Sequence, residues 1–172
     1  GMESMFLRRN GQPIGIIYGY QEDGFFDNEA EVRAYKMYKN ETDAKIRSMI
    51  GQIKYKDNNG DGVIDPLDKA IIGNTNPDFT YGYTNSFTYK DISLSFFFQG
   101  TQGNDILNVN LQNYDLASTG NMPQFVWDNR WTDANRENAE FPRADNTFTR
   151  SLKASERYVE DGAYLRLKNL SL

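Results

Sequence analysis

From Phe79 to Gln99 apolar and polar positions alternate with little interruption. Phe79, Tyr81, Tyr83, Phe87 and Tyr89 hold one parity; Thr80, Gly82, Thr84, Ser86 and Thr88 hold the other. Beyond Lys90-Asp91, Ile92, Leu94, Phe96 and Phe98 alternate with Ser93, Ser95, Phe97 and Gln99. A sustained period of two predicts a β-hairpin with a tight turn, one face aromatic and aliphatic, the other small and polar. The same period returns in "AYLRLKNLSL". Leu165 and Leu167 share a face opposite Arg166 and Lys168, and the phase then switches to Leu170 and Leu172. The switch predicts a β-bulge near Asn169.

The first half of the chain reads differently. "PIGIIYGY" (13–20) predicts a short strand broken by glycines. "DNEAEVRAYKMYK" predicts a helix with Asn28 as its cap and Glu31 three residues on, as in a capping box. Val32, Tyr35 and Tyr38 form its apolar stripe. Asn40 is the expected cap of a second helix running to about Met49, with Ile46 and Ile50 facing inward. "GQIKYK" is strand-like, with Ile53 and Tyr55 on one side, whereas "AIIGNTNP" contains turn residues. The stretch from about Gly100 to Ser155 is polar and far longer than ordinary connections, which marks a functional or dedicated surface loop.

Composition narrows the chemistry. The 172 residues carry a net charge of −5 and a mean hydropathy of −0.73, yet 14% are aromatic, which separates the chain from disordered ones. No Lys/Arg cluster offers a phosphate footprint, so nucleic acid is not an expected partner. With no Cys and no His, disulfides, thiolates, the usual zinc ligands and the usual general base are absent. Paired carboxylates alone are a poor argument for a glycosidase. Without a nucleophile, base or cofactor motif, no enzyme is expected.

The acidic stretch "KDNNGDGVIDPLDKA" (56–70) matches the spacing of a calcium loop. With Asp57 at position 1, Asn59, Asp61, Val63 (through its carbonyl), Asp65 and Asp68 fall at positions 3, 5, 7, 9 and 12, and Gly62 at the bend. Asp in place of Glu at the last position, Pro66 at position 10 and the strand-like flank depart from the paired-helix form. The competing reading is an Asn-Gly/Asp-Gly turn with solvated carboxylates. The spacing favours Ca2+ as a structural ion, with a dissociation constant on the order of 0.1–1 mM. In the long loop Trp127, Trp131, Tyr114 and Phe125 are candidates for stacking on sugar rings, or alternatively anchors of the loop.

Alternation with one aromatic face has two explanations. One is a soluble sheet packed on a core, which the pattern by itself favours. The other is a strand pair of a transmembrane barrel, whose short turns lie on one side and long loops on the other. Here the residues themselves carry a resemblance. "GQIKYKDNNGDGVIDPLDKAIIGNTNPDFTYGYTNSFTYKDISLSFFFQGTQGNDILN" (51–108) resembles the SusC/RagA family of TonB-linked outer-membrane receptors. "GQPIGIIYGYQEDGFF" (11–26), "NRWTDANRENAEFPRA" (129–144) and "SERYVEDGAYLRLKNLSL" (155–172) resemble further stretches of that family in the same order.

The resemblance implies a large barrel, of the 22-stranded type, importing glycans or peptides. It implies TonB as the energy source and a SusD-like lipoprotein as the lid. The expected fold class is mainly β with a minor α part: antiparallel strands of a partial outer-membrane β-barrel, plus extracellular loops with one or two short helices. The chain is expected to be a single segment of 1–172. Residues 1–76 form an outer-loop region with the acidic loop, 77–99 the hairpin, 100–157 a long outer loop and 158–172 the next strand. Relative to the family it lacks a plug and most strands, so it is expected to be an internal barrel piece, inactive in transport alone. In water such a piece is expected to self-associate through Phe79, Tyr81, Phe96 and Phe98. The alternative is an autonomous extracellular, calcium-dependent carbohydrate-binding module.

Overall fold

The computed structural model describes residues 5–111, 121–144 and 154–172. Among them the chain is mainly antiparallel β with a few short helices, and no barrel is closed. The hairpin is the longest feature. β6 (Phe79–Tyr89) and β7 (Ile92–Gln102) have 11 residues each and pair without a register break. The turn at Lys90-Asp91 places Lys90 at φ 53°, a left-handed backbone that suits the twist of a two-residue hairpin turn.

β10 (Tyr164–Ser171) pairs with the other side of β7, giving a three-stranded sheet of order β10-β7-β6. Directly opposed residues share a face. Leu165, Leu167 and Leu170 lie opposite Gly100, Phe98 and Phe96, which lie opposite Tyr81, Tyr83 and Asn85. The register shifts between Leu167 and Asn169, so Lys168 is the bulged residue. That extra residue returns Leu170 to the face of Leu165 and Leu167. The whole sheet therefore presents one apolar face. On it Phe96 touches Tyr83, Phe87 and Phe98 at centroid distances of 6.1, 6.1 and 5.6 Å. No element of the described chain covers this face: Phe79, Tyr83, Phe87, Tyr89, Ile92, Leu165 and Leu170 are all more than half exposed.

The buried core lies elsewhere, in a second layer made of short elements. β1 (Phe6–Leu7), β2 (Ile16–Gly19) and β5 (Ala70–Asn74) form one small sheet, and β3 (Glu22–Phe25) with β4 (Ile53–Tyr55) another. α1 (Glu29–Ala34) and α2 (Asp43–Met49) pack beside them. Three apolar clusters result. The first holds Tyr20, Ile53, Tyr55 and Ile64; the second Met5, Ile17 and Ala154; the third Phe26, Val32 and Ile46. Tyr35 packs against both the first and the third, and its hydroxyl donates to the Tyr55 carbonyl at 2.9 Å.

The two layers share strands. β5 leads into β6, β7 into β8 (Asp105–Leu107), and β9 (Val159–Asp161) into β10. Crossing hydrogen bonds brace the transition: Asp78 N to Gln102 O (2.9 Å), Asn74 N to the Asp105 carboxylate (2.8 Å) and Gly162 N to Asn104 O (2.8 Å).

Several expectations are corrected. The first helix stops at Ala34 instead of running to Lys39. Tyr35 turns extended (ψ 124°) to reach Tyr55, and Lys36–Tyr38 form a separate 3-10 turn. The second helix is capped by Thr42, whose hydroxyl accepts from Lys45 N, and not by Asn40. Ahead of the turn residues of "AIIGNTNP", "AIIGN" forms strand β5, paired through β2. The long segment after Gly100 is not all loop: it carries the end of β7, β8 and α3 (Gln124–Asp128). Among the described residues no helix is long and apolar enough to cross a membrane, which leaves strands untouched by that test.

Candidate functional site

The acidic stretch forms one compact loop between β4 and β5. Its polar side chains fold onto its own backbone. Asp57 accepts from Gly60 N (2.7 Å) and Gly62 N (2.6 Å) through its two oxygens. Asn59 Oδ1 accepts from Asp61 N, and Asp61 Oδ1 from Val63 N, each at less than 3 Å. Asp65 caps the 3-10 turn Pro66–Asp68 by accepting from Leu67 N at 2.7 Å.

Asp68 closes the loop from below. It is fully buried, and its Oδ1 accepts from Asn58 N (2.9 Å) and Asn59 N (3.3 Å) while Oδ2 accepts from Asp65 N (2.9 Å). Asn58 answers by donating to the Asp68 carbonyl at 2.6 Å. Ionised acceptors make the stronger hydrogen bonds, so this carboxylate organises both ends of the loop at once. Ile64 plugs the loop into the first apolar cluster. Gly62, at φ 79°, docks on the Lys36 turn: its carbonyl accepts from Met37 N, and a Cβ there would lie 2.7 Å from Lys36 Cβ.

The donor set is hard oxygen, as calcium requires. Asp57, Asn59 and Asp61 sit together on the open side, and each of the two Asp57 carboxylate oxygens keeps a second lone pair. Asp68, in contrast, already spends three acceptor sites on backbone N–H groups. Among the described residues no three acidic side chains converge into a ready ligand cluster.

Near the loop, Tyr35 is pushed up to about 12, first by burial and then by the carboxylates of Asp23 and Asp57.

A second feature is a cleft of about 720 Å³ bordered by α1, α2 and the segment 127–144. Two of the four stacking candidates line it. Trp127 is half exposed, and the Arg130 guanidinium lies flat on it, 3.4 Å from the ring centroid. Trp131 is 3% exposed, with Arg136 at 5.3 Å and its own indole N–H buried without an acceptor. Gly51, at φ 79°, makes room for it: a Cβ there would sit 2.5 Å from the Trp131 ring. Trp131 is therefore packed inside the protein, against Gly51. Phe125 packs edge-on against Phe141 at 5.8 Å, and Tyr114 lies outside the described residues. The arginines of the cleft were not singled out from sequence. Only their spacing around the tryptophans in "WDNRWTDANR" hinted at them.

The arrangement is that of a strand-built segment with one unpartnered apolar face, crowned by a polar layer with its own core. No family model matches the chain. It is similar to TonB-dependent receptor P26 of Formosa agariphila, at 31% identity over 94% of this chain and 16% of that protein. It is likewise similar to TonB-dependent receptor P3 of the same organism, at 33% identity over 96% of this chain and 15% of that protein. The chain thus spans about a sixth of the length of these relatives. Likeness of this extent supports a segment of a TonB-dependent receptor.

Two predictions follow the loop geometry. Asp68→Asn replaces one accepting oxygen by an amide that faces backbone N–H groups; denaturant unfolding without added metal is expected to show a loss of about 1–3 kcal/mol. An unchanged midpoint would mean that Asp68 is not the clasp described. For Tyr35 the folded value lies above the unfolded value of 10, so its contribution is intact below pH 10 and is lost as pH rises toward 12. Stability is expected to fall across that window, and Tyr35→Phe to flatten the fall; the pH dependence of the denaturant midpoint reads both.

Proposed function

We propose that the chain is part of the barrel wall and outer layer of a TonB-dependent outer-membrane receptor of the SusC/RagA type. The whole receptor imports glycans or peptides, with TonB as its energy source and a SusD-like lipoprotein as its lid; this segment does not transport alone. One observation carries the reading. The β10-β7-β6 sheet turns a mainly apolar and aromatic face, interrupted by Asn85, away from the rest of the chain, and the Lys168 bulge keeps Leu170 in that face. In water such a face is a liability, whereas lipid is its natural solvent. β6 and β7, at 11 residues each, have the length that a tilted membrane strand needs. The opposite face, with Thr84, Ser86, Ser95 and Ser171, suits a polar lumen. An autonomous carbohydrate-binding module accounts less well for the uncovered face.

In this reading Ca2+ is held by Asp57, Asn59, Asp61, Asp65 and the Val63 carbonyl, with Asp68 bracing the loop beneath it. When bound, the ion supplies positive charge that pulls the loop oxygens together and stiffens the path from Tyr55 to the hairpin. The role is structural.

Lipid contact is tested in vesicles containing brominated lipid. Phe87→Trp is expected to add emission that the bromines quench, and Thr88→Trp, on the other face, emission that they quench far less. Equal quenching at both positions would sink the membrane reading. Calcium is tested by calorimetry: saturable heat in the millimolar range is expected, with Asp61→Asn weakening binding about tenfold or more. No heat at millimolar calcium would reject the ion while leaving the lipid test untouched.

A further inference from the structure

The cleft beside α1 and α2 holds charges that differ in how they are used. Arg47 is paired with Glu29 at 2.9 Å, and Arg136 is paired with Asp133. Arg143 is committed to the carbonyls that end α2, those of Arg47 (3.3 Å) and Ser48 (2.9 Å). Arg130 stands apart. One of its N–H groups is given to the Trp127 carbonyl, its plane rests on the Trp127 ring, and no carboxylate among the described residues lies within ion-pair distance. In a chain of net charge −5 this is, among the described residues, a cation without a carboxylate partner, held against an indole at the edge of a cleft.

We propose that this cleft binds an anionic sugar, a ring bearing a carboxylate or a sulfate ester, with Arg130 gripping the anion and the exposed part of the Trp127 indole packing on the ring. The inference rests on the glycan reading of the receptor and narrows it to a charged class. A guanidinium has five donors in a planar fork, so the hydrogen bond to Trp127 leaves others for bidentate contact with a carboxylate or sulfate. Stacking on the indole and the carbonyl anchor fix the fork in one orientation, so little side-chain freedom remains to be lost on binding. The indole presents apolar surface for the C–H face of a sugar. The Asp27 carboxylate, also lining the cleft, is an acceptor for ring hydroxyls and repels a second anionic group nearby. A neutral sugar would use the indole but not the fork.

The chain has two tryptophans, and both line this cleft, so emission excited at 295 nm reports on it alone. The 172-residue chain in detergent micelles is titrated with digalacturonate, with galactose 6-sulfate and with neutral galactobiose. Saturable emission changes are expected with the acidic sugars, at least tenfold stronger than with galactobiose. Arg130→Gln is expected to weaken the acidic sugars tenfold or more and to leave galactobiose unchanged, while Arg130→Lys restores part of the difference. Circular dichroism and the Tm of the variants establish that they remain folded. Equal affinity for galactobiose, or an Arg130→Gln chain that binds digalacturonate as before, overturns the charged-sugar inference and leaves the glycan reading standing. Binding of none of the three overturns the inference at this cleft; the brominated-lipid experiment then still decides the receptor reading on its own.

Discussion

The controlling constraint is where the apolar side chains of the long strands are allowed to go. A strand places alternate residues on opposite faces, so the aromatic set of β6 and the leucines of β10 cannot be shared between two destinations. In this molecule they all turn to one face, and nothing in the described chain covers it. Burial in the usual sense is therefore delegated to the second layer. That layer must build three small cores from short elements, because the sheet lends it none of its apolar surface.

Short elements hold together only if their ends are tied. Tyr35 joins two of the cores and reaches the backbone of Tyr55. The segment 154–158 is pinned from the other side: Tyr20 N donates to Ala154 O (2.8 Å) and Glu156 N to Tyr20 O (3.0 Å). Glu22 then accepts from the buried Ser155 hydroxyl and donates its backbone N–H to the Glu156 carboxylate at 3.0 Å. These links join residues more than 130 positions apart in the chain. They explain how a layer with only short helices gains one arrangement: it is stitched by polar groups whose loss would leave buried donors unsatisfied.

Legibility from sequence follows the same division. The hairpin, its turn, its faces and the bulge were readable because a period of two over eleven residues has little competition. The second layer was less so. The helix at 29–34 was visible, but its early stop depends on Tyr35 meeting Tyr55, a partner twenty positions away that no local pattern announces. β5 was not announced as a strand because "AIIGN" runs into turn-forming residues; its strand character comes from pairing with β2, far upstream. The acidic loop was found by spacing, yet the burial of Asp68 was not, since carboxylates are exposed by default. The arginine on Trp127 became visible only once the segment was folded, because sequence nearness within a few residues does not say which ring face is covered.

The bulge at Lys168 also has an evolutionary side. A paired strand cannot change in length by one residue without exchanging faces beyond the change, except at the bulge itself. Deleting Lys168 would only straighten the strand and leave Asn169, Leu170 and Ser171 opposite Phe97, Phe96 and Ser95, whereas a one-residue change elsewhere between Tyr164 and Leu170 would exchange faces and must be compensated nearby or come in twos. Insertions of any size are cheaper in the polar connections of the second layer, where no alternation has to be kept. Within this segment, variation in length is thus steered toward the layer of short elements, while the long strands beneath it stay countable.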